Sequence, residues 1–133
     1  MMAVEKSTKR TTHFNCLWSY YLYQCCQYLF EEPDEGDFFN LINLRCEENS
    51  IIIRSKEKYR FCYFLYVLAE EKRFTTVVKD SWLAQILKAT GIKKNYYTSH
   101  YRDPLRDDFK ELKPNKDIVA ELKEAISKIR GKV

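Results

Sequence analysis

Apolar residues recur at helical spacing in several separate stretches of the chain. Residues 12–30 hold no charged side chain, and their apolar positions follow one stripe of a helix. Pro33 and Gly36 then interrupt this pattern. We therefore predict a first helix over residues 11–31 and a second helix over residues 37–47.

The strongest helical pattern lies in residues 56–74, where the side chains from Phe61 to Ala69 are apolar nearly all round. A helix of that kind is normally packed by neighbours on several sides, so we expect it to lie at the centre of the fold. The isoleucine run at 51–53 precedes it. This run predicts either a short strand or an extended connector.

A helix-glycine-helix pattern follows the central helix. Asp80 or Ser81 suits the N-cap of a helix whose apolar stripe ends shortly before Gly91. Glycine tolerates the positive φ at which many helices end, so Gly91 predicts a tight turn. The next helix begins near Lys93 and ends before Pro104, because the residue before a proline avoids the helical conformation.

A last helix is predicted over residues 115–130, and the polar residues 1–9 are expected to be frayed. These elements predict an all-α fold, a single compact helical domain of five or six helices over residues 1–133. The domain would contain a helix-turn-helix-like pair at 81–102. Only three Gly and three Pro occur, which favours long helices over a many-stranded sheet.

Charge is distributed unevenly along the chain. Residues 1–50 carry four Lys or Arg against eight Asp or Glu, whereas residues 51–133 carry 19 against 11. This asymmetry between an acidic N-terminal half and a basic C-terminal half suggests an anionic partner for the second half. Alternating charges on solvated helix faces would explain the same numbers, and both interpretations stay open.

The helix after Gly91 has the side chains that a DNA-binding helix needs. In a helix-turn-helix protein the second helix offers its outward side chains to the major groove. Lysine and arginine contact phosphates or guanine, asparagine suits adenine, and hydroxyl groups contact phosphates. Ile92, Tyr96 and Tyr97 would attach this helix to the domain. The residues predicted to bind double-stranded DNA are Lys93, Lys94, Asn95, Tyr97, Thr98 and Arg102.

The first helix supports a competing hypothesis. Tyr20, Tyr23, Gln24 and Gln27 share the side opposite its apolar stripe. If exposed, they would suit a homodimer contact or another protein partner. The alternative function is therefore a small helical protein-protein interaction module without nucleic-acid binding. A helix buried on both sides would equally account for these residues. The helix-glycine-helix pattern has its own alternative, a plain packing corner.

The order of elements beyond residue 54 resembles that of a known family. It runs from YRFCYFLYVLAEE through SWLAQILKATGI and NYYTSHYRD to IVAELKEAISKI. Residues 55–130 in this order resemble the C-terminal region of the RteC family, regulatory proteins of Bacteroides conjugative transposons. The resemblance implies a helix-turn-helix-like, DNA-binding transcription regulator of a mobile genetic element. The helix that matches would carry Tyr96, Tyr97, Tyr101 and Arg102.

Other chemistries find little support in the sequence. No nucleophile-elbow, zinc-protease, P-loop or dinucleotide-binding motif occurs, so we predict no enzymatic activity and no cofactor. The five cysteines lie in apolar stretches without a CxxC motif, and the chain has only two histidines. We therefore expect reduced core thiols, no metal site and a cytoplasmic protein. Polar residues interrupt the segment 12–30, which we interpret as a core helix and not as a membrane span.

Overall fold

The computed structural model describes residues 12–71, 74–106 and 117–132. Within these residues the chain forms six α-helices and three short 3-10 turns, and its only β-type pairing is one isolated bridge between Phe30 and Ile53. The helices are α1 (Cys16–Cys26), α2 (Glu35–Ile42), α3 (Lys58–Glu71), α4 (Thr76–Thr90), α5 (Lys94–His100) and α6 (Ile118–Gly131). This arrangement confirms the predicted all-α single domain.

The helix α3 lies at the centre of the fold, as its apolar pattern predicted. Phe61, Phe64, Leu65 and Leu68 on α3 are completely buried. The helix packs against α4, α5 and α6, and α1 and α6 make extensive contacts with each other. The first and last helices of the described chain therefore pair beside the central one, and all six helices share one apolar core.

The helix α1 is shorter at both ends than the helix predicted over residues 11–31. The Asn15 side chain accepts a hydrogen bond from the backbone N–H of Trp18, which fixes the first turn at Cys16. At the other end the backbone tightens into a 3-10 turn over Gln27–Leu29. An uncharged run in the sequence therefore overstated the length of the helix.

The helices α2 and α4 begin earlier than predicted. The side chains of Asp34 and Thr75 each accept a hydrogen bond from the backbone N–H three residues further on, and so act as N-caps. The predicted caps of α4, Asp80 and Ser81, lie inside the helix on its exposed side. The helix α2 ends at Ile42, so the predicted end at residue 47 was wrong.

The isoleucine run at 51–53 forms the extended connector, one of the two outcomes that the sequence left open. The backbone N–H of Glu31 donates to the Ile52 carbonyl, and the N–H of Arg54 donates to the Leu29 carbonyl. These bonds tie the segment before α3 to the segment that follows α1. The predicted fraying of residues 1–9 and the predicted start of the last helix at 115 lie outside the described residues.

The cysteines differ from one another in exposure. All five are free thiols; Cys26 and Cys62 are buried, Cys25 and Cys46 are half-buried, and Cys16 is exposed. The prediction of a core thiol was therefore wrong for Cys16, which lies in the first turn of α1 on its outer side. None of the described helices combines the length and the apolar character needed to cross a membrane.

Candidate nucleic-acid interface

The turn between α4 and α5 has the geometry that its glycine predicted. Gly91 has a φ of 73°, in the left-handed region that favours glycine. The N–H of Gly91 donates to the Lys88 carbonyl at 3.3 Å, and the N–H of Ile92 donates to the Leu87 carbonyl at 3.0 Å. These two bonds form a Schellman motif, in which the apolar side chains of Leu87 and Ile92 are both buried.

The helices α4 and α5 do not pack as the two helices of a compact helix-turn-helix pair. Each of them makes its main contacts with α3 instead of with the other. The bulky Leu87 near the turn also leaves little room for a close approach between them. The described structure is therefore a helix-glycine-helix corner on α3, and the predicted helix-turn-helix pair is not confirmed.

Tyr97 attaches α5 to the core, which leaves little of its side chain for the contact with DNA that was also predicted. Only 8% of the residue is exposed. Its ring stacks on the ring of Tyr101, and the Tyr101 ring contacts that of Tyr66 on α3. Burial raises the pKa of the Tyr97 phenol well above its ordinary value, with smaller contributions from Cys62 and Tyr101. The Tyr97 phenol therefore stays neutral, and its ring holds α5 against the core.

The other five predicted residues are exposed. Lys93 precedes the helix as its N-cap residue, with an extended backbone. The remaining four are Lys94, Asn95 and Thr98 within α5 and Arg102, which lies two residues beyond its end; together with Lys93 they form the exposed face of α5. Tyr97 of the same helix is buried instead. The structure therefore brings together the polar residues predicted from the sequence and separates the one tyrosine from them.

The polar groups on this exposed face differ in whether they already have partners. Among the described residues, Lys93, Lys94 and Arg102 form no ion pair and the Asn95 amide forms no hydrogen bond. The Thr98 hydroxyl, in contrast, donates to the Asn95 backbone carbonyl at 3.1 Å. Three positive charges and one amide are consequently available to an anionic partner.

The buried carboxylate of Asp103 fixes the end of α5. This role of Asp103 was not predicted from the sequence. Oδ2 of Asp103 lies 2.7 Å from Nδ1 of His100, and Oδ1 lies 4.0 Å from Nη1 of Arg106. The Asp103 side chain is only 8% exposed. The Tyr96 ring covers the imidazole, with centroids 4.4 Å apart. The sequence offers one signal for this cluster, since His100 and Arg106 each lie three residues from Asp103.

The first turn of α3 lies next to the same region. The 3-10 turn Asp103–Leu105 packs against α3. Burial raises the pKa of the Tyr59 phenol, and the nearby carboxylate of Asp103 acts in the same direction. Lys56 and Lys58 precede this tyrosine in sequence and form no ion pair with a described residue. Neither lysine stands out in the sequence, because only tertiary packing brings the start of α3 next to the Asp103–Leu105 turn.

The acidic side chain of Glu48 lies next to the last turn of α4. Nζ of Lys88 lies 3.6 Å from Oε1 of Glu48, and the N–H of Asn49 donates to the Ala89 carbonyl at 2.7 Å. The loop that follows α2 therefore packs against the last turn of α4. The acidic N-terminal half and the basic C-terminal half are not separate in space, and Lys88 compensates part of this negative charge.

The predicted interaction face on α1 is exposed only in part. Tyr20 is 48% exposed, and Gln24 is exposed one turn further on. Tyr23 and Gln27 are half-buried, and the Tyr23 ring contacts that of Phe38 on α2. The exposed face is therefore narrower than the four residues predicted from the sequence.

Comparisons with known proteins do not identify this fold or this face. No protein-family model, curated protein or solved structure matches the chain. Among the described residues, no three His, Cys, Asp or Glu side chains lie together in a way that would hold a metal ion. The molecule is thus an all-α domain whose exposed basic residues lie within and next to α5.

Proposed function

We propose that the protein binds double-stranded DNA through the exposed face of α5. The supporting observation is that Lys93, Lys94 and Arg102 are exposed and form no ion pair with any described residue, within or next to a helix that the buried Tyr97 holds in place. The resemblance of residues 55–130 to the RteC family supports a regulatory role in a mobile genetic element.

Each polar residue of this face has a specific role in the proposal. Lys93, Lys94 and Arg102 neutralise phosphates, which releases counterions and makes the affinity depend on salt. The Asn95 amide has one donor and one acceptor that match the major-groove edge of adenine. Since Tyr97 already holds the helix, its backbone need not become ordered on binding.

A charge-removal experiment tests this function. We expect the triple variant Lys93→Ala, Lys94→Ala, Arg102→Ala to bind a labelled duplex more weakly than the unmodified protein. The slope of log affinity against log salt should fall by about 2–3, because each phosphate contact contributes about 0.9. The matched control Lys79→Ala, Lys123→Ala, Lys128→Ala removes the same charge from α4 and α6. Equal loss in both triple variants would contradict a specific role of α5.

The exposed part of α1 supports a second candidate function, a contact with a protein partner or with a second copy. Tyr20 is the most exposed tyrosine of the described chain, and its ring packs edge-to-face on that of Tyr21 with centroids 5.2 Å apart. Aromatic side chains of this kind are enriched in protein interfaces. Sedimentation of a Tyr20→Lys, Gln24→Lys variant tests self-association. A lower sedimentation coefficient is expected, and an unchanged one would reject a homodimer through this face.

A further inference from the structure

The start of α3 carries two lysines, and the turn that follows α5 packs against the same helix, although the two segments are far apart in sequence. Lys56 lies in the 3-10 turn Ser55–Glu57, and Lys58 is the first residue of α3. The 3-10 turn Asp103–Leu105, which directly follows Arg102, packs against α3. The carboxylate of Asp103 acts on both Tyr59 and Cys62, so it lies near the first turns of that helix.

The acidic side chains at this junction are already paired with buried or local partners. Glu57 is buried and forms an ion pair with the buried guanidinium of Arg60. Asp103 is buried against His100 and Arg106. Neither carboxylate therefore neutralises the lysines that lie next to Glu57 in sequence. Lys56 is exposed and Lys58 is half-buried, and neither forms an ion pair with a described residue.

We propose that Lys56 and Lys58 bind the phosphate backbone flanking the groove that α5 enters. This inference rests on the proposed function, since it extends the same DNA interface to a second segment of the chain. The positive end of the α3 dipole adds to the attraction for phosphate at this position. Lysine is a suitable residue here because phosphate contacts need charge more than a fixed geometry.

In this proposal the start of α3 and the helix α5 have different roles in DNA binding. Phosphate contacts fix the position and orientation of a protein on the duplex but carry no sequence information. Lys56 and Lys58 should therefore raise affinity equally for all duplexes. Any preference for one sequence should depend on the side chains of α5, and on Asn95 in particular.

The double variant Lys56→Ala, Lys58→Ala tests this inference. Its affinity for an adenine-rich and a guanine-rich duplex is measured by fluorescence anisotropy over a series of salt concentrations. We expect the salt slope to fall by about 2, with the ratio of the two affinities unchanged. The variant Lys56→Arg, Lys58→Arg keeps the charge and should bind as the unmodified protein does. The matched control is Lys123→Ala, Lys128→Ala on α6, and circular dichroism checks that each variant is folded.

Three outcomes would overturn the inference. A wild-type salt slope in Lys56→Ala, Lys58→Ala, together with weak binding by the α5 triple variant, would leave the proposed function intact and exclude the start of α3 from the interface. An equal loss in the control on α6 would show that net charge alone is responsible. Failure of the unmodified protein to bind either duplex at low salt would reject the proposed function itself.

Discussion

The ring of Tyr97 in α5 stacks on the ring of Tyr101, with the centroids 5.1 Å apart and the planes 12° from parallel. The Tyr101 ring then contacts that of Tyr66 on α3, with the centroids 5.0 Å apart. Such pairs contribute about 0.5–1.5 kcal/mol each beyond the burial of area. The helix α5 has only seven residues, too few to be stable alone, so these rings hold it in position.

Truncating Tyr97 should therefore detach α5 from the core. We expect Tyr97→Ala to lower the free energy of unfolding by about 3–5 kcal/mol, the usual cost of removing a buried aromatic side chain. Tyr97→Phe keeps the ring and should cost less than about 1.5 kcal/mol. Urea denaturation measures both values. A loss of only a few tenths of a kcal/mol in Tyr97→Ala would mean that α5 is held by other contacts.

The turn before α5 should be sensitive to loss of its glycine. We expect Gly91→Ala to lower the free energy of unfolding by about 1–2 kcal/mol, because its φ of 73° is unfavourable for a residue with a Cβ atom. The added Cβ would lie 3.5 Å from Oδ1 of Asn49, an ordinary contact, so the cost is conformational and not steric.

Gly131 provides the matched control for that substitution. It ends α6, and a Cβ added there meets nothing within 4 Å. Gly131→Ala should leave stability unchanged or raise it by up to about 1 kcal/mol, since alanine favours a helix. Equal effects of the two substitutions in thermal or urea unfolding would be inconsistent with a special conformation at Gly91.

Features that depend on local pattern were predictable from the sequence. The apolar run from Phe61 to Ala69 can only be satisfied by burial on several sides, and α3 is indeed central. An apolar helical pattern precedes Gly91 in the sequence, and the turn forms at this glycine. The start of α4 was missed because Thr75, Asp80 and Ser81 are all good N-caps, and tertiary packing decides among them.

Those features of the candidate interface that depend on tertiary packing could not be predicted from the sequence. The polar residues of α5 could be grouped by their spacing, but two adjacent tyrosines, Tyr96 and Tyr97, cannot be ranked for burial without knowing where α3 lies. The lysines at 56 and 58 become relevant only because the Asp103–Leu105 turn packs on α3. No sequence spacing contains that long-range contact.

The cysteines should differ in reactivity in the folded protein. Burial raises the pKa of the Cys62 thiol to about 12, with a further contribution from the carboxylate of Asp103. At about pH 8 this thiol is almost entirely protonated and inaccessible, whereas Cys16 is exposed. We expect iodoacetamide to label Cys16 first, and Cys26 and Cys62 only after unfolding.

Peptide mass spectrometry over a time course measures this order. Labelling in denaturant is the control, because all five thiols should then react at similar rates. Modification of Cys62 as fast as Cys16 under native conditions would mean that the first turns of α3 open readily. It would also contradict the close packing of the Asp103 turn on that helix.

The buried tyrosines should make the protein less stable in alkaline solution. Burial raises the pKa values of Tyr96 and Tyr97 above that of an unfolded tyrosine, which is about 10. Above about pH 10 the unfolded chain therefore releases protons that the folded chain retains, so the free energy of unfolding decreases as the pH rises. Below that pH both states are protonated and these groups cause no change.

We expect Tyr97→Phe to show a shallower alkaline decrease in the free energy of unfolding than the unmodified protein, measured by urea denaturation between about pH 8 and 11. Tyr20→Phe removes an exposed hydroxyl as the control, and a decrease equally shallow in both variants would show that burial of Tyr97 is not its cause.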